Sequence, residues 1–298
     1  MPKGTGAFLT TVPDGTTAGG NKRGAYAVDL STASRYQAAQ VASGDYSVLT
    51  GGFRNKASGT KSGVHCGTRN TASGYASNVG GGDNNTASNV HSFVGGGQSN
   101  TASGGQSTCA GGYVNTASGS RAFVGGGYFN TASGTDSWIV GGRQGTTRGL
   151  TAAGAFGMAY RANYGDRQNM WLPVACAART DDTPTVLTSD AGAAGATNQL
   201  VLPNNSTSFF EVDGIAHDAS LKSASWKIQG TIRRGANAAA TVIVGANVTT
   251  PFGNDLSGGS PGFTVTADTT YGALCVTFTG IADTTIYPSA RVRVWQGA

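Results

Sequence analysis

Residues 70–84 read NTASGYASNVGGGDN, and residues 85–99 start the same pattern again as NTASNVHSFVGGGQS. Gln40 opens a degenerate earlier copy, and residues 145–159 carry an eroded later one. The opening Asn recurs every 15 residues, at Asn55, Asn70, Asn85, Asn100, Asn115 and Asn130. Self-similarity at a short fixed period indicates a solenoid of stacked coils.

Each block is predicted to form two short β-strands rather than a helix. Three successive glycines would each cost a helix about 1 kcal/mol relative to Ala, and apolar residues do not recur at helical spacing. In the copy that starts at Asn70, strands are expected around 71–73 and 77–79, with side chains alternately in and out. The inward residues are Ala72, Ala87, Ala102, Ala117 and Ala132 on one wall, and Val79, Val94, Cys109, Val124 and Ile139 on the other. This small interior makes a thin tube whose stability as a single chain would be marginal.

The glycine and asparagine positions of the block have structural explanations. The position after the first Ser holds Gly in most copies and Asn89 in one, which predicts a left-handed backbone there. The glycines concerned are Gly74, Gly104, Gly119 and Gly134. The Gly triplets, such as 80–82, lack Cβ atoms and allow another backbone to approach closely. The column of Asn residues is expected to pair its side-chain amides from coil to coil.

Bulky side chains occupy positions that are expected to point away from the tube. Rows of apolar surface favour burial against identical tubes related by a closed rotation, which also covers open sheet edges. We therefore predict a homo-oligomer; the alternative is that these are isolated exposed side chains, which are common on protein surfaces. The predicted interface residues are Phe93, Phe123 and Trp138 in one column and Tyr113 and Tyr128 in another, with Phe129 in a third.

The composition changes at Leu172, where Gly becomes less frequent and alternating segments recur about every 10 residues, as in a sandwich or barrel of antiparallel strands. A second, all-β domain is therefore predicted. The stretch 153–171, rich in Gly, Ala and aromatic residues, is expected to form a neck or cap, because solenoid ends need caps. The expected strands are 174–178, 185–188, 199–202, 208–216, 225–233, 241–244, 263–267, 273–279 and 290–295.

Two of these strands alternate clearly between an apolar and a polar face. In the strand 225–233, Ile228 and Ile232 are expected in the core, while Lys227 and Arg233 point away from it. The last strand, 290–295, follows the same alternation, with its valines inward and its arginines outward.

The outward residues of these strands suit sugar recognition. An indole stacks on the apolar face of a sugar, and a guanidinium binds carboxylate or phosphate groups in a forked geometry. For each candidate, ordinary solvated surface and a subunit contact are the alternatives. The candidate glycan-binding residues are Arg291, Arg293, Trp295, Lys227 and Arg233.

Composition argues against several other classes of protein. Of 298 residues, 48 are Gly and only 12% are charged. The net charge of +5 is spread thinly, without a basic cluster that would follow phosphates, so no nucleic-acid partner is expected. No apolar run reaches the roughly 20 residues that cross a bilayer, and residues 1–20 lack the features of a secretory signal. Neither membrane insertion nor secretion is expected.

The residues that could carry chemistry are sparse. Cys66, Cys109, Cys176 and Cys275 are widely separated, so they are interpreted as singly buried thiols, and the three His show no metal spacing. We expect no metal and no other cofactor. Glycosidases generally need two carboxyl groups within about 10 Å, whereas this chain has a single Glu and 14 scattered Asp. Glu211 and Asp213 share a strand face and are interpreted as solvated surface. We therefore predict no catalytic residue and no enzyme activity.

Three motifs carry a resemblance to known proteins. The repeat GGGxxNTASG, preceded by Ser-x-Val, resembles the head repeats of the YadA-like trimeric adhesins, and its 15-residue form is similar to that of phage tail fibre proteins. Residues 21–29, NKRGAYAVD, resemble the segment before such repeats in phage fibres, and residues 223–230, SASWKIQG, resemble their C-terminal domain. The resemblance implies a left-handed parallel β-roll, three chains around one axis and attachment to a host surface. Bacterial adhesins of this type also carry a signal peptide and a membrane anchor, which we do not find here, so a virion fibre is favoured.

The sequence therefore predicts a virion structural protein, a homotrimeric phage tail fibre or spike that attaches to host cell-surface polysaccharide. It is expected on the surface of the phage particle after synthesis in the host cytoplasm. The predicted fold is an all-β, left-handed parallel β-roll followed by an antiparallel β-sandwich. The predicted segments are 1–39, loop-like and docked on a tail or capsid protein, 40–149, the roll, 150–171, the neck or cap, and 172–298, the sandwich.

Three alternatives stay open at this point. A capsid decoration, head fibre or spacer would share the architecture without binding a receptor. A tailspike that depolymerises polysaccharide would hold its carboxylates on the roll or between chains. An ice-binding solenoid would need rows of Thr-x-Thr, which the blocks lack.

Overall fold

In a computed structural model, the chain is described over residues 8–9, 13–18, 20–31, 37–159 and 167–297. It divides into two compact units, Met1–Arg143 and Gln144–Ala298. Across the described ranges the regular structure is almost entirely β-strand, because the one helical element is a 3-10 turn at Ala238–Ala240. The prediction of an all-β protein is confirmed.

The first unit is a parallel β-solenoid of about seven turns. Its described strands are β1 Phe8–Leu9, β2 Val28–Asp29, β3 Val48–Leu49, β4 Lys56–Ala57, β5 Gly63–Val64, β6 Thr71–Ala72, β7 Asn78–Val79, β8 Thr86–Ala87, β9 Phe93–Val94, β10 Thr101–Ala102, β11 Thr108–Cys109, β12 Thr116–Ala117, β13 Phe123–Val124, β14 Thr131–Ala132 and β15 Trp138–Gly142. One wall has the order β4-β6-β8-β10-β12-β14, and the other has the order β1-β2-β3-β5-β7-β9-β11-β13-β15. Each block from Asn55 onward contributes one strand to each wall, whereas β1, β2 and β3 add strands to the second wall alone.

Successive coils stack in register, one repeat apart. Thr101 pairs with Thr116 on one wall, and Phe123 pairs with Trp138 on the other. All ten residues predicted to point inward, five on each wall, are completely buried. The two short strands per block and their alternation are therefore as predicted.

The ladder begins earlier than predicted. Phe8 pairs with Val28, and Val28 pairs with Val48, so the first coils are 20 residues long rather than 15. The longer period does not match the later repeat, which is why the sequence pattern hides these coils. The prediction that 1–39 is loop-like is wrong for the described residues, because β1 and β2 continue one wall of the solenoid.

An ion pair replaces apolar packing inside this early part of the solenoid. Asp29 pairs with Leu49 in the ladder and occupies the inward column. Its Oδ2 lies 2.5 Å from Nε of Arg23, and both side chains are buried. The backbone N–H of Ser31 donates a 3.0 Å hydrogen bond to the other carboxylate oxygen. Buried charges are tolerated only when they are paired in this way.

The Asn column ties each coil to the next through the backbone. The side-chain amide of Asn85 donates to the carbonyl oxygens of Gly81 at 2.8 Å and Gly97 at 2.9 Å. Its Oδ1 accepts the backbone N–H of Asn100 at 2.9 Å, and Asn100 repeats the scheme. The predicted column exists, but its amides bond to main-chain groups and not to one another, because each Asn faces the carbonyl oxygens of two glycine turns and the backbone N–H of the next Asn.

The glycine after the first Ser is needed for close approach between coils. Gly104 does not have a positive φ, but a Cβ there would lie 1.9 Å from the carbonyl oxygen of Gly119. The left-handed backbone lies two residues later, at Gln106 with φ 58°. The left-handed prediction is therefore wrong for Gly74, Gly104, Gly119 and Gly134.

The Gly triplets do permit close approach, at their first and third positions. A Cβ on Gly97, the third glycine of its triplet, would lie 2.2 Å from the carbonyl oxygen of Gly112. The middle glycine, Gly96, has nothing within 4 Å of that position.

The four cysteines do not share one environment. Cys109 and Cys275 are buried, whereas Cys66 is exposed and Cys176 is half-buried, so the prediction of four buried thiols is wrong for the last two. Burial inside the solenoid raises the pKa of the Cys109 thiol to about 12. Cys66 differs because it replaces the outward middle glycine of its block.

The second unit is built from two antiparallel sheets. Its described strands are β16 Gly154–Ala159, β17 Arg167–Ala175, β18 Thr185–Leu187, β19 Leu200–Val201, β20 Ser206–Asp218, β21 Ser223–Arg234, β22 Thr241–Asn254, β23 Gly262–Asp268, β24 Ala273–Thr279 and β25 Ile286–Gly297. The larger sheet has the order β16-β17-β25-β20-β21-β22. In the smaller sheet, β24 pairs with β23 on one side and with β18 and β19 on the other.

Aromatic side chains form the core between these sheets. The Phe263 ring lies 4.9 Å from the Phe278 ring and 5.3 Å from Trp226 of the larger sheet. Gly214 makes room for this contact, because a Cβ there would lie 2.7 Å from the Phe263 ring. The predicted antiparallel domain is confirmed. Part of the predicted neck forms β16 and the start of β17, and residues 160–166 lie outside the described residues.

Replacing Asn85 by Ala is expected to destabilise the solenoid by about 2–4 kcal/mol, because it leaves the Gly81 carbonyl and the Asn100 N–H without a partner and removes one of the two donors to the Gly97 carbonyl. The matched control is Asn78→Ala, since Asn78 lies at an outward strand position and its side chain bonds, among the described residues, only to the exposed His65. Denaturant unfolding of the two variants measures the difference. Equal midpoints for the two variants would show that the Asn column does not hold the coils together.

Candidate functional site

The candidate binding residues lie on the outer face of the larger sheet in the second unit. Arg291, Arg293 and Trp295 are on β25, and Lys227 and Arg233 are on β21, with β20 running between these two strands. The inward residues predicted with them, Ile228, Ile232, Val292 and Val294, are buried. The alternation predicted for both strands is therefore correct.

Glu211 of β20 is at the centre of this face. Its carboxylate lies 3.0 Å from Arg293 Nη2 on one side and 3.0 Å from Lys227 Nζ on the other. The Gln229 amide donates a further hydrogen bond of 2.9 Å. Glu211 is only 7% exposed. The interpretation of Glu211 as solvated surface is therefore wrong, because basic side chains from both neighbouring strands cover it.

Asp213 repeats the arrangement two residues along β20. Its Oδ2 lies 2.7 Å from Arg291 Nη2, and its carboxylate oxygens are 4.0 Å from Lys227 and Arg293. Its side chain is 34% exposed, so part of the carboxylate faces solvent. Three cations and two carboxylates thus alternate across β25, β20 and β21. We call this group the charge ladder.

The charge ladder changes what these arginines can bind. The sequence predicts open guanidinium groups that fork onto an anionic ligand, but Arg291 and Arg293 already contact carboxylates of their own chain. Arg233 lies near the end of β21, is exposed, and makes no ion pair with any residue in the described ranges. The structure brings four of the five candidates together and leaves Arg233 apart from them.

Aromatic rings border the charge ladder beside Arg293, two residues further along β25 and β20 and across on β17. The Arg293 guanidinium carbon lies 5.2 Å from the centre of the Trp295 ring, within the range of a cation–π contact. Phe209 lies 5.4 Å from Trp295, and Trp171 is paired with Arg293 in the ladder between β17 and β25. Rings of this kind provide flat apolar area beside charged hydrogen-bonding groups.

A shallow cavity of about 380 Å³ adjoins the Asp213–Arg291 pair. Pro173 of β17, Ile215 of β20 and Ser289 of β25 line it, together with Ser189 from the loop after β18. Sequence reasoning missed this cavity because its walls come from four segments without a shared motif. The one residue in the sequence that could have indicated the cavity was Asp213, which the sequence analysis interpreted as solvated surface.

The loop that carries Ser189 is held by its neighbour Asp190. The Asp190 carboxylate accepts hydrogen bonds from the Gly192 backbone at 3.0 Å and from the Asn198 amide at 2.8 Å. These bonds, the Gly192 one foremost, lower the pKa of Asp190 below its usual value. Thr188 exchanges backbone hydrogen bonds of 2.9 Å with Ala175 at the end of β17. This side of the cavity is therefore fixed.

The residues predicted at a subunit interface lie on the outer surface of the solenoid. Phe93, Phe123, Tyr113 and Tyr128 are each about two-fifths exposed, and Trp138 is half-buried. Tyr113 and Tyr128 stack with centroids 5.2 Å apart, and Phe129 lies 4.5 Å from Tyr128. The second and third predicted columns thus form one aromatic cluster.

Two further observations concern chemistry and membranes. Within the described part of the chain, no three His, Cys, Asp or Glu side chains lie close enough together to hold a metal ion. No helix found there has the length and apolar character needed to span a membrane.

Comparisons by sequence and by structure give different outcomes. No protein-family profile and no curated protein matches the chain. Among solved structures it is similar to the tailspike of Acinetobacter baumannii phage AM24, with 8% identity, a TM-score of 0.24 and coverage of 92% of this chain and 59% of that one. The tailspike of Acinetobacter phage vB_ApiP_P1 has 9% identity and a TM-score of 0.29, and the match covers 98% of this chain and 56% of that one. The chain thus spans less than two thirds of either tailspike.

A third similar structure is tailspike gp49 of Acinetobacter baumannii bacteriophage Fri1, described as a capsular polysaccharide depolymerase. It has 8% identity and a TM-score of 0.23, and the match covers 97% of this chain and 72% of that one. The expectation that this chain is not an enzyme is contradicted by a described depolymerase among its structural neighbours, and we withdraw it. At these scores the likeness establishes no activity for this chain.

Removing Arg293 is expected to destabilise the second unit by about 1–3 kcal/mol, because Glu211 would keep only Lys227 and Gln229 as partners for a buried charge. Arg233→Ala, which removes an unpaired arginine from the same face, should change stability by less than about 0.5 kcal/mol. Thermal unfolding of both variants makes the comparison. Equal losses would mean that the charge ladder does not stabilise the sheet.

Proposed function

We propose that this chain is the subunit of an extended, homotrimeric attachment protein. Within that class, it serves as a spike or tail fibre on the surface of a bacteriophage particle and binds polysaccharide on the host cell. The segment 1–39 joins it to a tail or capsid protein of the virion, and the charge ladder with its aromatic border binds the glycan.

The observation that carries the proposal is the contrast between the inside and the outside of the solenoid. Its inward columns hold mainly Ala and Val, whereas Phe93, Phe123, Tyr113 and Tyr128 stay exposed. Large exposed apolar groups in rows are typical of interaction surfaces. Packing three copies around one axis buries these rows and gives the thin tube the apolar contacts that it lacks alone.

Glycan binding is supported by the chemistry of the outer face of the sandwich. The pairs Arg291–Asp213 and Arg293–Glu211 supply donors and acceptors in fixed positions, and Trp295 supplies a ring on which a sugar can stack. Binding sites of this kind combine apolar area with a few oriented polar groups.

The oligomeric state tests the first part of the proposal. Light scattering of the full chain should give a mass three times 29.9 kDa. Phe123→Asp should shift the protein to smaller species by placing a charge in a buried contact. Val90→Asp is the control, because Val90 is an exposed apolar residue outside the aromatic columns. A folded monomer at all concentrations would overturn the proposed assembly.

Adsorption to bacteria tests the second part. The purified chain should bind a subset of encapsulated strains and lose binding when the capsule is stripped, and Trp295→Ala should weaken binding about tenfold or more through loss of stacking area. Release of reducing ends from the capsule would identify a depolymerase instead of a binder. Absence of adsorption to every strain in a broad panel would favour a decoration or spacer protein.

A further inference from the structure

The cavity beside the charge ladder has the form of a binding subsite. Its volume of about 380 Å³ lies within the range of small-ligand pockets. Pro173 and Ile215 provide apolar walls, and Asp213, Arg291 and Ser289 provide polar groups. It opens on the same face as Trp295, which stands two register positions from Arg293 along β25.

The polar groups of the cavity retain unused hydrogen-bonding capacity. Asp213 has one short contact, at 2.7 Å to Arg291, and a carboxylate has about four acceptor positions. The Arg291 side chain is 59% exposed, so further N–H groups are open to a ligand. The Ser289 side chain is exposed at the cavity, and its hydroxyl group can both donate and accept. A ligand rich in hydroxyl groups satisfies donors and acceptors of this mixed kind.

The two charged residues that line the cavity, Asp213 and Arg291, pair with each other, so the lining carries no net charge. Arg291 is already neutralised by Asp213, and the neighbouring cations, Lys227 and Arg293, each lie 3.0 Å from Glu211. A uronic or sialic acid bound here would place its carboxylate next to that of Asp213, where like charges repel. An uncharged sugar meets no such penalty, and Asp213 can accept hydrogen bonds from its hydroxyl groups.

We propose that this cavity binds an uncharged, hydroxyl-rich sugar residue of the surface polysaccharide, with Asp213 as the group that rejects acidic sugars. The inference rests on the proposed attachment function and specifies its ligand. Asp213 accepts hydroxyl protons, Arg291 donates to hydroxyl oxygens, and Pro173 and Ile215 contact the apolar edge of the ring.

The test uses the full chain and two sets of immobilised probes. One set contains neutral oligosaccharides of glucose, galactose and mannose, and the other contains matching oligosaccharides with one uronic acid. The wild type should bind at least one neutral probe about tenfold or more tightly than its acidic counterpart. Asp213→Asn should lose about tenfold for the neutral probe and gain affinity for the acidic one, because Arg291 is then unneutralised.

Two further variants separate binding from folding. Ser289→Phe fills the cavity without changing charge and should abolish neutral binding with no gain for acidic probes. Thr207→Ala, on the same face but at the far end of β20 from the cavity, should leave both affinities unchanged. Thermal unfolding confirms that each variant is folded.

Each remaining outcome is decisive. If the wild type prefers acidic probes, or adsorbs to encapsulated cells without binding any neutral probe, the cavity inference is wrong while the attachment function stands. If Asp213→Asn shows no switch in preference although Ser289→Phe blocks binding, Asp213 does not set the selectivity. If the wild type binds neither probes nor cells, the attachment function itself is wrong.

Discussion

The structure of the first unit depends on satisfying the backbone of very small coils. Each coil buries one Ala and one Val-like residue, so the apolar contribution per coil is small, and the hydrogen bonds between coils carry much of the order. The Asn column supplies such bonds, because each side-chain amide joins the carbonyls of two glycine turns and accepts the backbone N–H of the next Asn. The glycines at Gly104 and Gly97 are part of the same constraint, because the coils come closer than a Cβ allows. The Gly and Asn content of the blocks, their regular spacing and the backbone geometry of their turns therefore all follow from the close stacking of the coils.

The second unit is stabilised differently from the first. Large side chains pack between its two sheets, and charged side chains lie on the outer face. Phe263 bridges the sheets by contacting Phe278 and Trp226, which fixes the sandwich and the outer face above it. On that face Glu211 is covered by cations from both neighbouring strands. The Glu211 carboxylate holds the basic side chains around it in fixed positions. The aromatic border therefore lies beside a polar surface that is ordered before any ligand binds.

Periodicity and alternation made the strands and the inward columns predictable, because the side-chain direction repeats every two residues and the coil every 15. The 20-residue coils at the start were missed because they do not share the period. The role of Gly104 was misjudged because a sequence does not distinguish a left-handed turn from a close contact. Asp213 and Arg291 lie 78 residues apart, and their contact follows from the strand order β25-β20-β21, which alternation alone does not determine.

The ion pair between Arg23 and Asp29 makes the first coils sensitive to a single substitution. Both residues belong to the same coil, six residues apart, and both side chains are buried. Loss of either partner would leave the other charge buried without this contact, at a cost of about 3–5 kcal/mol. The early coils therefore depend on one contact between two side chains, whereas the later blocks distribute theirs over a column of identical asparagines.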